Sequence, residues 1–326
     1  MNTMEKDHTE NNRMDKIDEI TQKLEEGIKD MFQSDNYKTY LAAMSKFHSY
    51  SINNVILIAS QMKDASHVAS FTKWKELERN VKKGEHGLKI FAPIFRNKLD
   101  PETKQIIVNE ITGKPERVIT GFKPAYVFDI SQTEGKELPK MASILTGNVE
   151  DFEKFKDALI KISPVPVSFE HVQGNANGYY SLTDKKIVVD ESLPEMQKIK
   201  TMVHEISHSM LHSNADDEKE RTTKEVEAES VAYTVCNYLG LDTSDYSFGY
   251  IGGWSRDREL SELKESLSTI KDTSSKIIKD LEEYKVVHEQ PDKTMILNLT
   301  AQRTYEDKSL EREKKVSETY DYELDR

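Results

Sequence analysis

The feature that most constrains this chain is the run His204-Glu205-Ile206-Ser207-His208. In an α-helix, histidines at i and i+4 project from one face and, at 3.6 residues per turn, stack one above the other about a turn apart. Met196, Ile199, Val203, Ile206 and Met210 keep helical spacing through the same stretch, which predicts such a helix. Two ring nitrogens can then meet at one cation. Hydrolytic zinc sites have three protein ligands and a water, and the Glu beside the first His can reach that water. His204 and His208 are therefore expected ligands and Glu205 the general base. One Zn2+ per chain is expected, with Mn2+ or another divalent metal as a substitute.

A third ligand has to come from elsewhere. The segment from Thr223 to Leu239 reads as the next helix and carries Glu225, Glu227 and Glu229. Ala228, Val231, Ala232, Val235 and Leu239 define its apolar face. At about 100° per residue, Glu225 falls roughly 40° from Leu239 on that face, Glu229 roughly 80°, and Glu227 roughly 120° away on the other flank. A carboxylate at an apolar border is costly unless it is paired or metal-bound. Glu225 is the expected third ligand, and Glu229 the residue that hydrogen-bonds a ligand histidine from behind. His212 extends the motif but lacks metzincin spacing, and is expected to be buried or at the lip. Tyr250 is a candidate to stabilise an oxyanion, although packing is the commoner role.

The rest of the chain sets the frame. Its 326 residues carry a net charge of −12, with 36% hydrophobic and 32% charged side chains. That length suits two domains with tails. Cys236 is the only cysteine, which excludes an intrachain disulfide framework and a multi-cysteine metal site. The aliphatic run Val55–Ala59 is far below the roughly 20 residues of a membrane span, and the amino terminus has no apolar signal region. A soluble, cytoplasmic protein without membrane contact is expected. Charge is uneven: residues 31–124 hold 15 Lys+Arg against 9 Asp+Glu, whereas residues 125–254 hold 12 against 22. Only the first of these segments is suited to a polyanion.

Periodicity divides the chain further. Residues 1–12 read as disordered. Helical spacing from Met14 to Tyr50 gives way to short strands at Leu88–Phe95, Ile106–Val108 and Ala125–Phe128, so residues 13–130 form an α+β domain. Residues 131–150 read as a linker. Residues 151–258 form a second α+β unit, with strands at Val165–Val172 and Tyr179–Val189 ahead of the two helices. Leu263, Leu267, Ile270, Ile277, Leu281 and Tyr284 lie on one heptad seam within residues 259–288, interrupted at Ser274. That seam allows either a homodimeric coiled coil or a helix folded back on its own domain. Residues 289–326 read as a largely disordered tail.

The segment Gly178–Asp190, the helix Thr201–His208 and the stretch Glu225–Ala232 resemble ImmA/IrrE-type metallopeptidases, whose fold is gluzincin-like. The resemblance implies that a Glu on the following helix completes the zinc site and that an edge strand before the active helix binds peptide, here Ile187–Val189. Ala228-Glu229, Leu239-Gly240-Leu241 and Tyr250-Ile251-x-x-Trp254 are closer to the peptidase domain of ArdC-type antirestriction proteins. Tyr50–Leu57, Phe71-Thr72-x-Trp74, Val81–Gly87 and Phe128–Thr133 are similar, in the same order, to the ArdC single-stranded-DNA-binding domain. The resemblance implies a protein of a mobile element that binds single-stranded DNA, counters restriction and acts on a peptide or protein substrate. Single-strand binding needs cations along phosphates and aromatic faces under bases. Lys73, Trp74, Lys75, Arg79, Lys82, Lys83 and Lys89 are the expected DNA-binding residues, although the same pattern suits core aromatics and an ordinary wet surface. A second reading is an ImmA-like regulatory peptidase that cleaves one protein partner recognised by the amino-terminal domain.

Overall fold

A computed structural model describes residues 19–32, 34–109, 113–137, 149–214, 219–243, 246, 248–249, 251–256 and 258–289. The segments expected to be disordered, 1–12 and 289–326, lie outside these residues except for Glu289, as do Tyr250 and most of the expected linker. The fold is α+β. Three helices come first among the described residues, α1 (residues 19–31), α2 (Ser34–Lys46) and α3 (Ile52–Gln61). Then follow β1 (Val68–Ala69), α4 (Phe71–Glu76), β2 (Arg79–Val81), β3 (Leu88–Asn97), β4 (Arg117–Asp129) and, after a 3₁₀ turn at Ile130–Gln132, β5 (Thr133–Gly135). The second unit runs α5 (Val149–Ile162), β6 (Val167–Glu170), β7 (Gly178–Ser181), β8 (Lys186–Asp190), α6 (Glu195–Leu211), α7 (Arg221–Tyr238), α8 (Ile251–Arg256) and α9 (Leu260–Glu289).

In the first unit β3 and β4 form a long antiparallel ribbon, with β1 on the far side of β4. The ribbon's second edge, on β3, is closed by a helix rather than a strand. Asn54 donates to the Phe91 carbonyl and accepts from the Phe91 N–H, both at 2.9 Å. Gln61 does the same to Lys89, two residues along the strand and two turns along α3, again at 2.9 Å. Two amide side chains thus imitate a neighbouring strand and protect an edge that would otherwise invite pairing. Ile106–Val108, expected as a strand, makes only isolated bridges, Leu99 to Ile106 and Val108 to Pro115.

Asp129 fixes the other end of the ribbon. Its carboxylate accepts the N–H groups of Ser66, His67 and Ser131, while its own N–H donates to Gln132. Burial alone would push this carboxyl up, but the backbone donors outweigh it and hold it below the ordinary value. The expected linker begins later than residue 131, because Thr133–Gly135 pair with β2.

In the second unit the strand order is β6-β8-β7. The stretch Tyr179–Val189, expected as one strand, is a hairpin of β7 and β8 that turns at Lys185 with φ of 51°. Ile187–Val189 is therefore the central strand and not the edge that the resemblance implied. Its three side chains are at most 1% exposed, and an unbroken apolar run is what a strand covered on both faces requires.

The two units share one hydrophobic core. Helix α2 lies on α7, where Tyr37 and Ser230 hydroxyls meet at 2.9 Å and Ser45 donates to Asn237 at 2.8 Å. The heptad seam of α9 is consumed within the chain. Leu263, Leu267, Ile270, Ile277 and Leu281 are all buried, and Ser266 reaches Glu227 on α7 while Ser275 donates to the His48 carbonyl. Each fully buried aliphatic side chain contributes roughly 1.5–3 kcal/mol, so among the described residues these seam positions are spent on the chain's own core rather than on a coiled-coil partner. No described helix is long and apolar enough to cross a membrane.

Candidate metal centre

Helix α6 carries the histidine motif, and α7 crosses it with the glutamates. Strand β7 presses on α6 at Gly178, where a Cβ would come 2.7 Å from Thr201 Cγ2 and from the Val188 carbonyl. Glycine at this position is what lets the strand run beside the motif. A cleft of about 360 Å³ opens here, walled by Asn177, Gly178, Lys200, Thr201 and Tyr246, with His204, Glu205 and Glu229 along it.

The Nε2 atoms of His204 and His208 lie 3.1 Å apart. Glu225 Oε2 is 3.7 Å from the first and 3.6 Å from the second. Among the described residues these three form a cluster whose ligand atoms all lie within 4.8 Å of one another. Two nitrogens at about 2.0–2.1 Å from one tetrahedral ion are separated by roughly 3.3 Å, so the pair is spaced for a zinc-sized cation. The donor set, two imidazoles and a carboxylate, is of the hydrolytic zinc type. His204 turns its other nitrogen, Nδ1, toward Glu229 Oε2 at 3.4 Å, which favours the tautomer with an Nε2 lone pair facing Glu225. The structure therefore brings together all five residues that the sequence placed at this site, His204, His208, Glu225 and Glu229 at these distances and Glu205 along the same cleft.

Electrostatics follow from burial and the crowd of carboxylates. Burial would lower the His204 pKa, but the bond to Glu229 and the charges of Glu205, Glu229 and Glu225 outweigh it and raise the value. Glu225 is held below the usual carboxylate range, chiefly by its hydrogen bond to His208. Glu205 goes the other way: burial raises its carboxyl pKa. An acid raised toward the working pH both accepts and returns a proton readily.

Glu227 is where the helical wheel failed. It is fully buried, bonded to Lys219 at 3.0 Å and to Ser266 at 2.8 Å, with His212 Nε2 at 3.8 Å. His212 is buried against His208, ring centroids 5.5 Å apart.

Comparison with known proteins adds two domain matches. The profile of the N-terminal domain of the anti-restriction factor ArdC matches residues 10–128. That of the IrrE N-terminal-like domain, peptidase family M78, matches residues 161–237. The chain thus joins an ArdC-type N-terminal domain to an IrrE-like, M78-type domain. An uncharacterized protein of Bacillus anthracis is 28% identical over 303 residues, 82% of this chain, and the chain spans about half the length of that relative. Crystal structures of the antirestriction ArdC protein from plasmid R388, metal-free and Mn(II)-bound, are 21% and 20% identical. Each covers 72% of this chain, and the chain covers 85% and 84% of theirs, with TM-scores of 0.46 and 0.44.

In the ArdC N-terminal domain the structure rearranges the expected DNA residues. Trp74 is 1% exposed and donates to the Phe128 carbonyl at 2.8 Å, so its ring offers no face to a base. Arg79 is buried and tied to Thr133 and the Gly135 and Lys136 carbonyls, which joins β2 to β5. Lys89 is paired with Glu19 and Lys73 with Glu76. Lys75, Lys82 and Lys83 are exposed. The aromatic residues that do reach the surface are Phe71, Phe95 and Tyr126; Phe71 lies in the Phe71-Thr72-x-Trp74 motif, whereas Tyr126 carried no sequence signal apart from alternation along β4.

Proposed function

We propose that this ArdC-type chain is an antirestriction protein of a mobile element that binds single-stranded DNA and hydrolyses peptide bonds at a zinc site. The observation that carries the peptidase half is the convergence of His204 Nε2, His208 Nε2 and Glu225 Oε2 beside a cleft that also holds Glu205. These three side chains would hold the ion. A bound zinc ion supplies Lewis acidity and lowers the pKa of its water toward about 7. Glu205, its carboxyl raised by burial, takes the proton of the attacking water and delivers it to the leaving amine. Glu229 keeps the His204 ring oriented. Among the described strands β7 pairs only with β8, so a substrate peptide adds to its outer edge at Gly178–Ser181 and is carried past Glu205. The DNA half rests on the amino-terminal domain match and on its excess of six basic side chains over residues 31–124.

The test is hydrolysis of casein and of a quenched peptide library by zinc-loaded protein, with and without single-stranded oligonucleotide. Cleavage by the wild type and none by Glu205→Gln, with zinc content and oligonucleotide binding unchanged, is expected. Equal cleavage by the variant contradicts the role of Glu205. No cleavage by the loaded wild type contradicts the peptidase reading, and cleavage of one cellular protein without any DNA binding favours a regulatory peptidase instead.

A further inference from the structure

Phe71 and Tyr126 are each 47% exposed, in a domain that buries Trp74 completely. They are not isolated. Tyr126 and Phe128 are two apart on β4 and so share a face. Leu88 pairs with Val127, which sets Gly87 beside Phe128 on that face. A Cβ on Gly87 would come 3.0 Å from Tyr126 Cβ and 3.1 Å from Phe128 Cζ, so glycine leaves room for both side chains close over the backbone. Phe71 opens α4 and meets Phe128 edge-on, with centroids 6.4 Å apart and planes at 68°. One turn further along α4, Lys75 Nζ stands 4.9 Å from the Phe71 centroid. The result is an aromatic face that runs from Tyr126 past Phe128 to Phe71, with a cation at one end and the Lys82-Lys83 turn leading into Gly87. Among the described residues Lys75, Lys82 and Lys83 have no ion-pair partner.

We propose that this aromatic face seats a single-stranded nucleic acid, with bases stacked on Tyr126 and Phe71 and phosphates passing Lys75 and the Lys82-Lys83 turn. The proposal rests on the DNA-binding half of the function above and assigns it a surface. Stacking suits unpaired bases, because in a duplex the base faces are already covered. The charge excess of this segment selects a polyanion over an apolar protein partner. Gly87 belongs to the site as the residue that lets Tyr126 and Phe128 pack close to the backbone.

The experiment is fluorescence anisotropy of labelled oligothymidylate and of a duplex against the full chain across a salt series. The proposal expects single-strand preference in the wild type. It expects about a tenfold loss for Tyr126→Ala and for Phe71→Ala, since one base stack contributes roughly 1–3 kcal/mol and 1.4 kcal/mol is tenfold. Tyr126→Phe should retain binding, because it keeps the ring. The Ala variants should leave the salt slope unchanged, whereas the Lys82→Glu, Lys83→Glu double variant flattens it. Wild-type binding that survives both aromatic substitutions overturns this site and leaves the DNA-binding reading standing. A wild type that binds no oligonucleotide at low salt overturns both.

Discussion

His204 faces two carboxylates with its two ring nitrogens: Nε2 lies 3.7 Å from Glu225 and Nδ1 lies 3.4 Å from Glu229. One glutamate is placed to share a cation with the ring, the other to fix its tautomer. The two are one helical turn apart on α7, so a single helix supplies both.

This division predicts a pH effect. In the metal-free protein the His204 pKa is raised above its ordinary 6.5 despite burial, because Glu229 and its neighbours favour the cation. Protons then compete with metal from a higher pH than for a free imidazole, and metal affinity falls as pH drops through the raised value. Glu229→Gln should shift that fall to lower pH and weaken affinity about 10–100-fold. Zinc competition against a chromophoric chelator between about pH 5 and 8 reads both. An unchanged profile would remove Glu229 from this role.

Asp129 should matter for acid stability. Its native pKa is lowered by the N–H groups of Ser66, Ser131 and His67, which outweigh burial. It therefore contributes stability that is full above the unfolded value of about 3.9 and is lost as pH falls through the native value. Asp129→Asn should cost about 1–3 kcal/mol at neutral pH. The gap between variant and wild type in urea midpoint should narrow on acidification. A gap that widens would contradict this.

Asn54 is predicted to be structural although it is a polar residue in a helix. Asn54→Ala leaves the Phe91 N–H and carbonyl without their partner, at a cost of about 1–3 kcal/mol. Asn54→Asp should be worse, since it sets a carboxylate against the Phe91 carbonyl oxygen. Thermal melts that rank the two variants in the opposite order would show that the edge is closed by something else.

Helix α9 is predicted to stabilise the chain from within. Leu267 is fully buried, so Leu267→Ala should cost about 2–5 kcal/mol. Sedimentation should show the same mass for the wild type and the variant. A wild-type dimer dissociated by this substitution would restore the coiled-coil reading.

What could be read from the sequence and what could not divide along physical lines. The motif on α6 fixes its own geometry, because i and i+4 must coincide on a helix, and Glu225 and Glu229 follow from the border of an apolar stripe. Glu227 does not, because α7 is buried on most sides and its small residues blur the stripe: Ser230, Thr234 and Cys236 are as buried as Val231 and Val235. Periodicity says which face is covered and never by what. This is why the α9 seam fitted both a partner and the chain itself, and why nothing in the run Ile187–Val189 itself corrected the edge position that the resemblance implied. Trp74 and Arg79 had the right chemistry for DNA. Their burial depends on contacts to Phe128 and Thr133, more than fifty residues away.

The central claim is the metal centre. The most direct measurement is the metal content of protein reconstituted with zinc, or separately with manganese, freed of excess ion by gel filtration and counted by mass spectrometry. One ion per chain in the wild type, nearly none in His208→Ala or Glu225→Ala, and retention in Glu205→Gln is the predicted result. A wild type that elutes without metal, or a Glu225→Ala variant that holds it as tightly, would contradict the assignment.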